Sequence, residues 1–85
     1  NYPNPFNPST IIRYTLPTVT DVDLTIYNAL GQKIITLLKK KQTPGVYEIM
    51  WDGKNENGEL ISSGVYFYLL RTKSFRDAKK MVLLR

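Results

Sequence analysis

The side chains best suited to chemistry crowd one polar stretch, Asp52-Gly53-Lys54-Asn55-Glu56-Asn57-Gly58-Glu59. Asp52, Asn55, Asn57 and Glu59 offer hard oxygen atoms of the kind that bind calcium. Their spacing is not that of a helix-loop-helix calcium site. Aligning Asn55, Asn57 and Gly58 with that loop puts Gly53 in the first ligand position, and no Glu stands at the twelfth. The set is a calcium candidate by composition alone, and a plain exposed turn is the preferred reading. Asn and Asp hydrogen-bond their own backbone, and Gly accepts left-handed geometry.

Elsewhere the sequence is poor in reactive groups. It has no His and no Cys, so the commonest general base, the thiolate nucleophile and the preferred zinc ligands are missing. Outside the loop, Asp21, Asp23 and Glu48 occupy outward positions of alternating strands and do not converge. No glycine-rich phosphate cradle follows a strand. The chain is expected not to be an enzyme, with no catalytic residue and no cofactor.

The charge distribution is more informative. Net charge is +5 over 85 residues, yet residues 1–70 are balanced, and Arg71, Lys73, Arg76, Lys79, Lys80 and Arg85 face only Asp77 in the last fifteen. Such a bias can mark an interaction surface, or a solvated edge that resists strand-to-strand aggregation. A nucleic-acid site would use this region with Tyr66, Phe67, Tyr68 or Phe75 as stacking platforms. Strand alternation sends most of those rings inward, and no nucleic-acid partner is expected. Lys39-Lys40-Lys41, followed by Gln42-Thr43-Pro44-Gly45, reads as a solvated loop. No apolar run approaches the roughly 20 residues of a membrane-spanning helix. Without cysteines the redox compartment is not legible.

The elements that must position these residues are strands. Thr10 to Leu16 alternates with Ile12, Tyr14 and Leu16 on one face. Asp21 to Tyr27 sends Val22, Leu24 and Ile26 inward and Asp21, Asp23, Thr25 and Tyr27 outward. Asn28-Ala29-Leu30-Gly31 reads as a hairpin turn with Gly31 at positive φ, and Gln32 to Leu38 returns. Val46 to Trp51 puts Tyr47, Ile49 and Trp51 on one face, with Trp51 as the main core anchor.

After the polar loop, Leu60 and Ile61 re-enter the core. Gly64 to Leu70 is apolar on both faces and is read as a central strand covered on both sides. Phe75 to Leu84 is a final strand with an apolar end. The Pro-rich opening, residues 1–9, is an extended lead-in whose Tyr2 and Phe6 pack against the body. Residues 10–85 form one domain, all-β: an antiparallel two-sheet β-sandwich of immunoglobulin-like architecture with six or seven strands.

Three patterns, taken in order, carry a resemblance. They are Tyr2-Pro3-Asn4-Pro5-Phe6, the paired Pro44-Gly45-Val46-Tyr47 and Ser63-Gly64-Val65-Tyr66, and the ending Lys80-Met81-Val82-Leu83-Leu84-Arg85. Together they resemble the C-terminal sorting domain of type IX secretion system cargo in Bacteroidetes and related bacteria. The stretch from Trp51 to Leu70 is also similar to the immunoglobulin-like domain of flagellar hook-capping proteins.

The first resemblance implies a non-catalytic module at the end of a longer secreted protein. Its cargo would cross the periplasm to the cell surface or medium, and its partners would be the type IX machinery, a surface sortase and its own upstream cargo domain. Lys80, Leu83 and Arg85 would be the recognition residues. Gly45, Tyr47, Trp51, Gly64 and Tyr66 would build the fold. The alternative is a structural immunoglobulin-like module that assembles or stiffens a surface protein, including by self-association through its edge strands.

Overall fold

In the computed structural model the described residues are 10–84. The lead-in at 1–9, with Tyr2 and Phe6, and the recognition candidate Arg85 lie outside them. Six strands follow one another: β1 (Thr10–Leu16), β2 (Thr20–Asn28), β3 (Lys33–Gln42), β4 (Gly45–Trp51), β5 (Gly64–Arg71) and β6 (Arg76–Leu83). They form two antiparallel sheets, a pair β1-β4 and a four-stranded sheet in the order β3-β2-β5-β6.

Alternation decides what enters the core. The small sheet contributes Ile12, Tyr14, Leu16 and Trp51, and the large sheet contributes Val22, Leu24, Ile26, Tyr66, Tyr68, Leu70 and Leu83. Trp51 is 1% exposed; its ring meets Tyr66 edge-on at 5.7 Å and its indole N–H donates to the Lys54 carbonyl at 3.0 Å. That bond satisfies the one polar group of a buried indole. In the small sheet, Tyr14 stacks on its cross-strand neighbour Tyr47 with ring centroids 5.4 Å apart.

Several expectations need correction. The Lys39-Lys40-Lys41 run is not a loop. It continues β3, with Lys41 opposite Asp21 and Lys39 opposite Asp23, so opposite charges across the ladder favour the strand. Gln42, also assigned to that loop, is buried at the strand's end. Thr25 does not face solvent: although it lies on the outer face it is 3% exposed. Its hydroxyl donates to the Asp23 carboxylate at 2.6 Å and lies 3.3 Å from Thr36 Oγ1.

Leu60 does not re-enter the core; it is exposed, pairs in a short bridge with Lys54, and leaves that packing role to Ile61. Phe75 precedes the last strand rather than belonging to it. Strand β5 lies between β2 and β6 as a central strand should, but only one of its faces is covered by the other sheet. Val65 on its second face is 39% exposed.

Candidate functional site

Asn28 and Asn55 build two copies of one turn. Asn28 Oδ1 accepts the backbone N–H of Leu30 and Gln32, its Nδ2 donates to Gln32 Oε1, and Gly31 N–H closes back on the Asn28 carbonyl. Asn55 does the same with Asn57, Glu59, the Glu59 carboxylate and Gly58. Gly31 and Gly58 take φ of 84° and 78°, a conformation that glycine enters without steric cost.

The shared pattern is Asn-x-x-Gly followed by Gln or Glu, at 28–32 and 55–59. This repeat is visible in the sequence and was the missed signal there. The Lys33 ammonium lies 3.2 Å from Glu56 and brings the two turns side by side. Both groups are exposed, so the pair marks proximity more than stability.

This geometry accounts for the oxygen-rich loop. Among the calcium candidates, Asn55 Oδ1 already accepts two amides, Asn55 Nδ2 holds Glu59 Oε1 at 3.1 Å, and Asp52 Oδ1 accepts Lys54 N–H at 3.2 Å. Asn57 enters the turn through its backbone N–H. These oxygens organise the chain that carries them.

A second repeated device sits at the two Gly-Val-Tyr sequences. Tyr47 Oη donates to the Thr43 carbonyl at 2.7 Å, and Tyr66 Oη donates to the Ser62 carbonyl at 2.8 Å. Each tyrosine thereby braces the segment four residues before it. The glycines between are not equivalent. Gly45 has φ of 150°, whereas Gly64 has no positive φ, and a Cβ there would meet only Tyr66 Cε2 at 3.8 Å. Positive φ therefore explains the first glycine and not the second. Trp51 and Tyr66 are core residues, Tyr47 packs against the core, and Gly45 takes a positive φ.

At the other end of β2 a shallow cleft of about 440 Å³ is lined by Asp21, Asp23, Lys39, Lys40, Arg71 and Lys73, among others. Its carboxylates are engaged, Asp23 by Arg71 at 3.2 Å and Asp21 by Lys73 at 3.6 Å. The remaining charge of the cleft is that of Lys39 and Lys40. On the small sheet, Arg13 and Glu48 pair across the ladder.

The expected recognition residues separate on β6. Lys80 is exposed and lies opposite Phe67, on the face of the large sheet turned away from the core. Leu83, opposite Gly64, is 4% exposed and belongs to the core. Among the described residues, strand β6 is an edge of the large sheet, paired on one side by β5. Among the described residues no group of three or more His, Cys, Asp or Glu side chains could hold a metal ion, and no helix is long and apolar enough to cross a membrane.

Residues 8–73 match the family model of the FlgD Ig-like domain. The chain belongs to the FlgD Ig-like domain family. The match ends before β6 begins, so the body of this FlgD Ig-like domain is accounted for and its basic last strand lies beyond the match. FlgD from P. aeruginosa superimposes over 88% of this chain with a TM-score of 0.67 at 22% identity, a likeness that shows the fold. Dimeric latent PorU from Porphyromonas gingivalis superimposes over 95% with a TM-score of 0.64 at 26% identity. The chain spans 59% of that FlgD chain and 8% of that PorU chain. No curated protein matches it.

Proposed function

We propose that this immunoglobulin-like domain is a non-catalytic sorting module, read by type IX secretion machinery, that directs an attached cargo to the cell surface or medium. The observation that carries this reading is the last strand. Lys80-Met81-Val82-Leu83-Leu84 lies on an edge of the large sheet, beyond the family match, and its pattern resembles the ending of type IX sorting domains. An edge strand offers unpaired backbone groups to which a receptor strand can add. A likeness to 8% of a much longer chain fits a domain appended to a larger protein. The partners under this reading are the export machinery, a surface sortase and the upstream cargo.

The second reading is a structural module that joins or stiffens surface proteins, favoured by the family match over the body of the domain. The two separate in one experiment: a fluorescent reporter with a secretory signal at its start and residues 1–85 at its end, expressed in a bacterium with type IX machinery and in its translocon-deficient mutant. Machinery-dependent appearance outside the cell supports sorting. Retention of the folded fusion in the periplasm of both strains overturns it in favour of the structural module.

A further inference from the structure

The sequence of β5 asks for cover on both faces, and the other sheet supplies it on one. Tyr66, Tyr68 and Leu70 enter the core, while Val65, Phe67 and Leu69 alternate onto the opposite face. The register extends that apolar strip across three strands: Tyr27 lies opposite Phe67, Val82 opposite Val65, and Ala78 opposite Leu69. Val82 is 60% exposed, and Leu84 just beyond it 74%. An antiparallel sheet with one face in water ordinarily carries polar residues there. A contiguous apolar strip rimmed by charge marks a contact surface.

The rim is cationic. Lys80 interrupts the strip opposite Phe67, and Arg76 lies on the same face opposite Arg71. Neither Lys80 nor Arg76 is in an ion pair among the described residues, whereas Arg13, Lys33, Arg71 and Lys73 are. Asp77 is the lone carboxylate of β6.

We propose that the outer face of β2, β5 and β6 is a docking surface for a protein whose contact patch is apolar at its centre and edged with carboxylates. The inference rests on the sorting reading, under which that partner is the receptor component of the export machinery; contact is through the face of the sheet as well as its edge. A second copy docked on the same face would set cations against cations. Residues 1–9 contain no carboxylate to answer them. An acidic partner is the occupant whose charge complements the rim.

The probes are two synthetic peptides of alternating pattern, one Glu with Val and Phe, the other Lys with Val and Phe, titrated into the full 85-residue chain while its amide and methyl resonances are followed. The Glu peptide should shift Val65, Phe67, Leu69, Lys80 and Val82, with affinity falling as salt rises. Val82→Asp and Lys80→Glu should each weaken it by about tenfold. Met50→Asp, on the exposed face of the small sheet, should bind within about twofold of the original chain, and each variant should keep a cooperative melt. Shifts elsewhere, or an equal response to the Lys peptide, overturn the proposal. So do concentration-dependent shifts of these residues without peptide, which would identify a second copy.

The same variants on the export reporter separate the two readings. Export of the original chain with loss in Val82→Asp supports both. Docking of the Glu peptide with the original reporter held in the periplasm sinks the sorting reading and leaves the surface chemistry standing. Undiminished export of both folded variants overturns the receptor-docking proposal.

Discussion

Tyr14 donates its phenol hydroxyl to Gln42 Oε1 at 2.5 Å and so ties the middle of β1, in the small sheet, to the last residue of β3 in the large one. Both residues are buried. Burial raises the Tyr14 pKa, the Gln42 hydrogen bond offsets part of that rise, and the neighbouring Tyr47 adds to it.

Tyr14→Phe strands the Gln42 oxygen, and should cost about 1–3 kcal/mol at neutral pH. The folded-state pKa lies above the unfolded one, so Tyr14 binds its proton more tightly when folded. Its contribution is complete below the ordinary tyrosine value of about 10 and is lost as pH rises through the folded value. The stability gap between the original chain and Tyr14→Phe should therefore narrow above about pH 10, as read by urea unfolding across that range.

Trp51→Ala removes the largest core side chain and orphans the Lys54 carbonyl. A loss of about 3–5 kcal/mol is expected, enough to abolish cooperative melting in a domain this small. An unchanged melting temperature would remove Trp51 from the core.

The two brace glycines should respond differently. Gly45→Ala forces an L side chain to φ of 150° and should cost about 1–2 kcal/mol. Gly64→Ala should stay within about 0.5 kcal/mol, because nothing near it must move. Parallel chemical denaturation of the two variants checks the contrast.

The twin turns allow a charge test. Asn28→Asp keeps the accepting oxygen beside a neutral Gln32, whereas Asn55→Asp sets a carboxylate against Glu59. The second should be less stable than the first by up to about 1 kcal/mol at neutral pH. Thermal melts of the two variants at neutral pH measure it.

Calcium is expected to leave the melting temperature unchanged, since Asn55 Oδ1 and Asp52 Oδ1 already serve backbone amides. A saturable upward shift on adding calcium would show that the 52–59 loop rearranges to bind it.

Strands β1, β2 and β4 were legible in the sequence because each has one buried face and therefore a period of two. The Gly31 turn was legible because Asn and Gly have conformational preferences of their own. Strand β3 was not legible past Leu38. Lys39 to Gln42 stay in the ladder by pairing with Thr20 to Asp23 of β2, and a local reading of three lysines has no access to partners from an earlier strand.

Thr25 and Gln42 were missed for a related reason. Each is buried beside a polar side chain of another strand, Thr36 Oγ1 at 3.3 Å from Thr25 and the Tyr14 hydroxyl that donates to Gln42. Leu83 read as a recognition residue through its motif, and the alternation of β6 places it, opposite Gly64, on the inward face. Asn28 and Asn55 were within reach, because their five-residue pattern occurs twice.

The strand pairings divide by distance along the chain. Hairpins β2-β3 and β5-β6 join neighbours through short turns, whereas β1 meets β4 across residues 17–44 and β2 meets β5 across residues 29–63. Hairpins of the first kind form in about 1–10 μs, and pairings of the second kind wait on the closure of long loops. Connectivity thus favours two ready-made ribbons first, with the β2-β5 union and the β1-β4 lid both among the later steps. Until that lid closes, the aromatic interior stands open on one side. A chain emerging into a new compartment would spend its slowest interval in that half-built state.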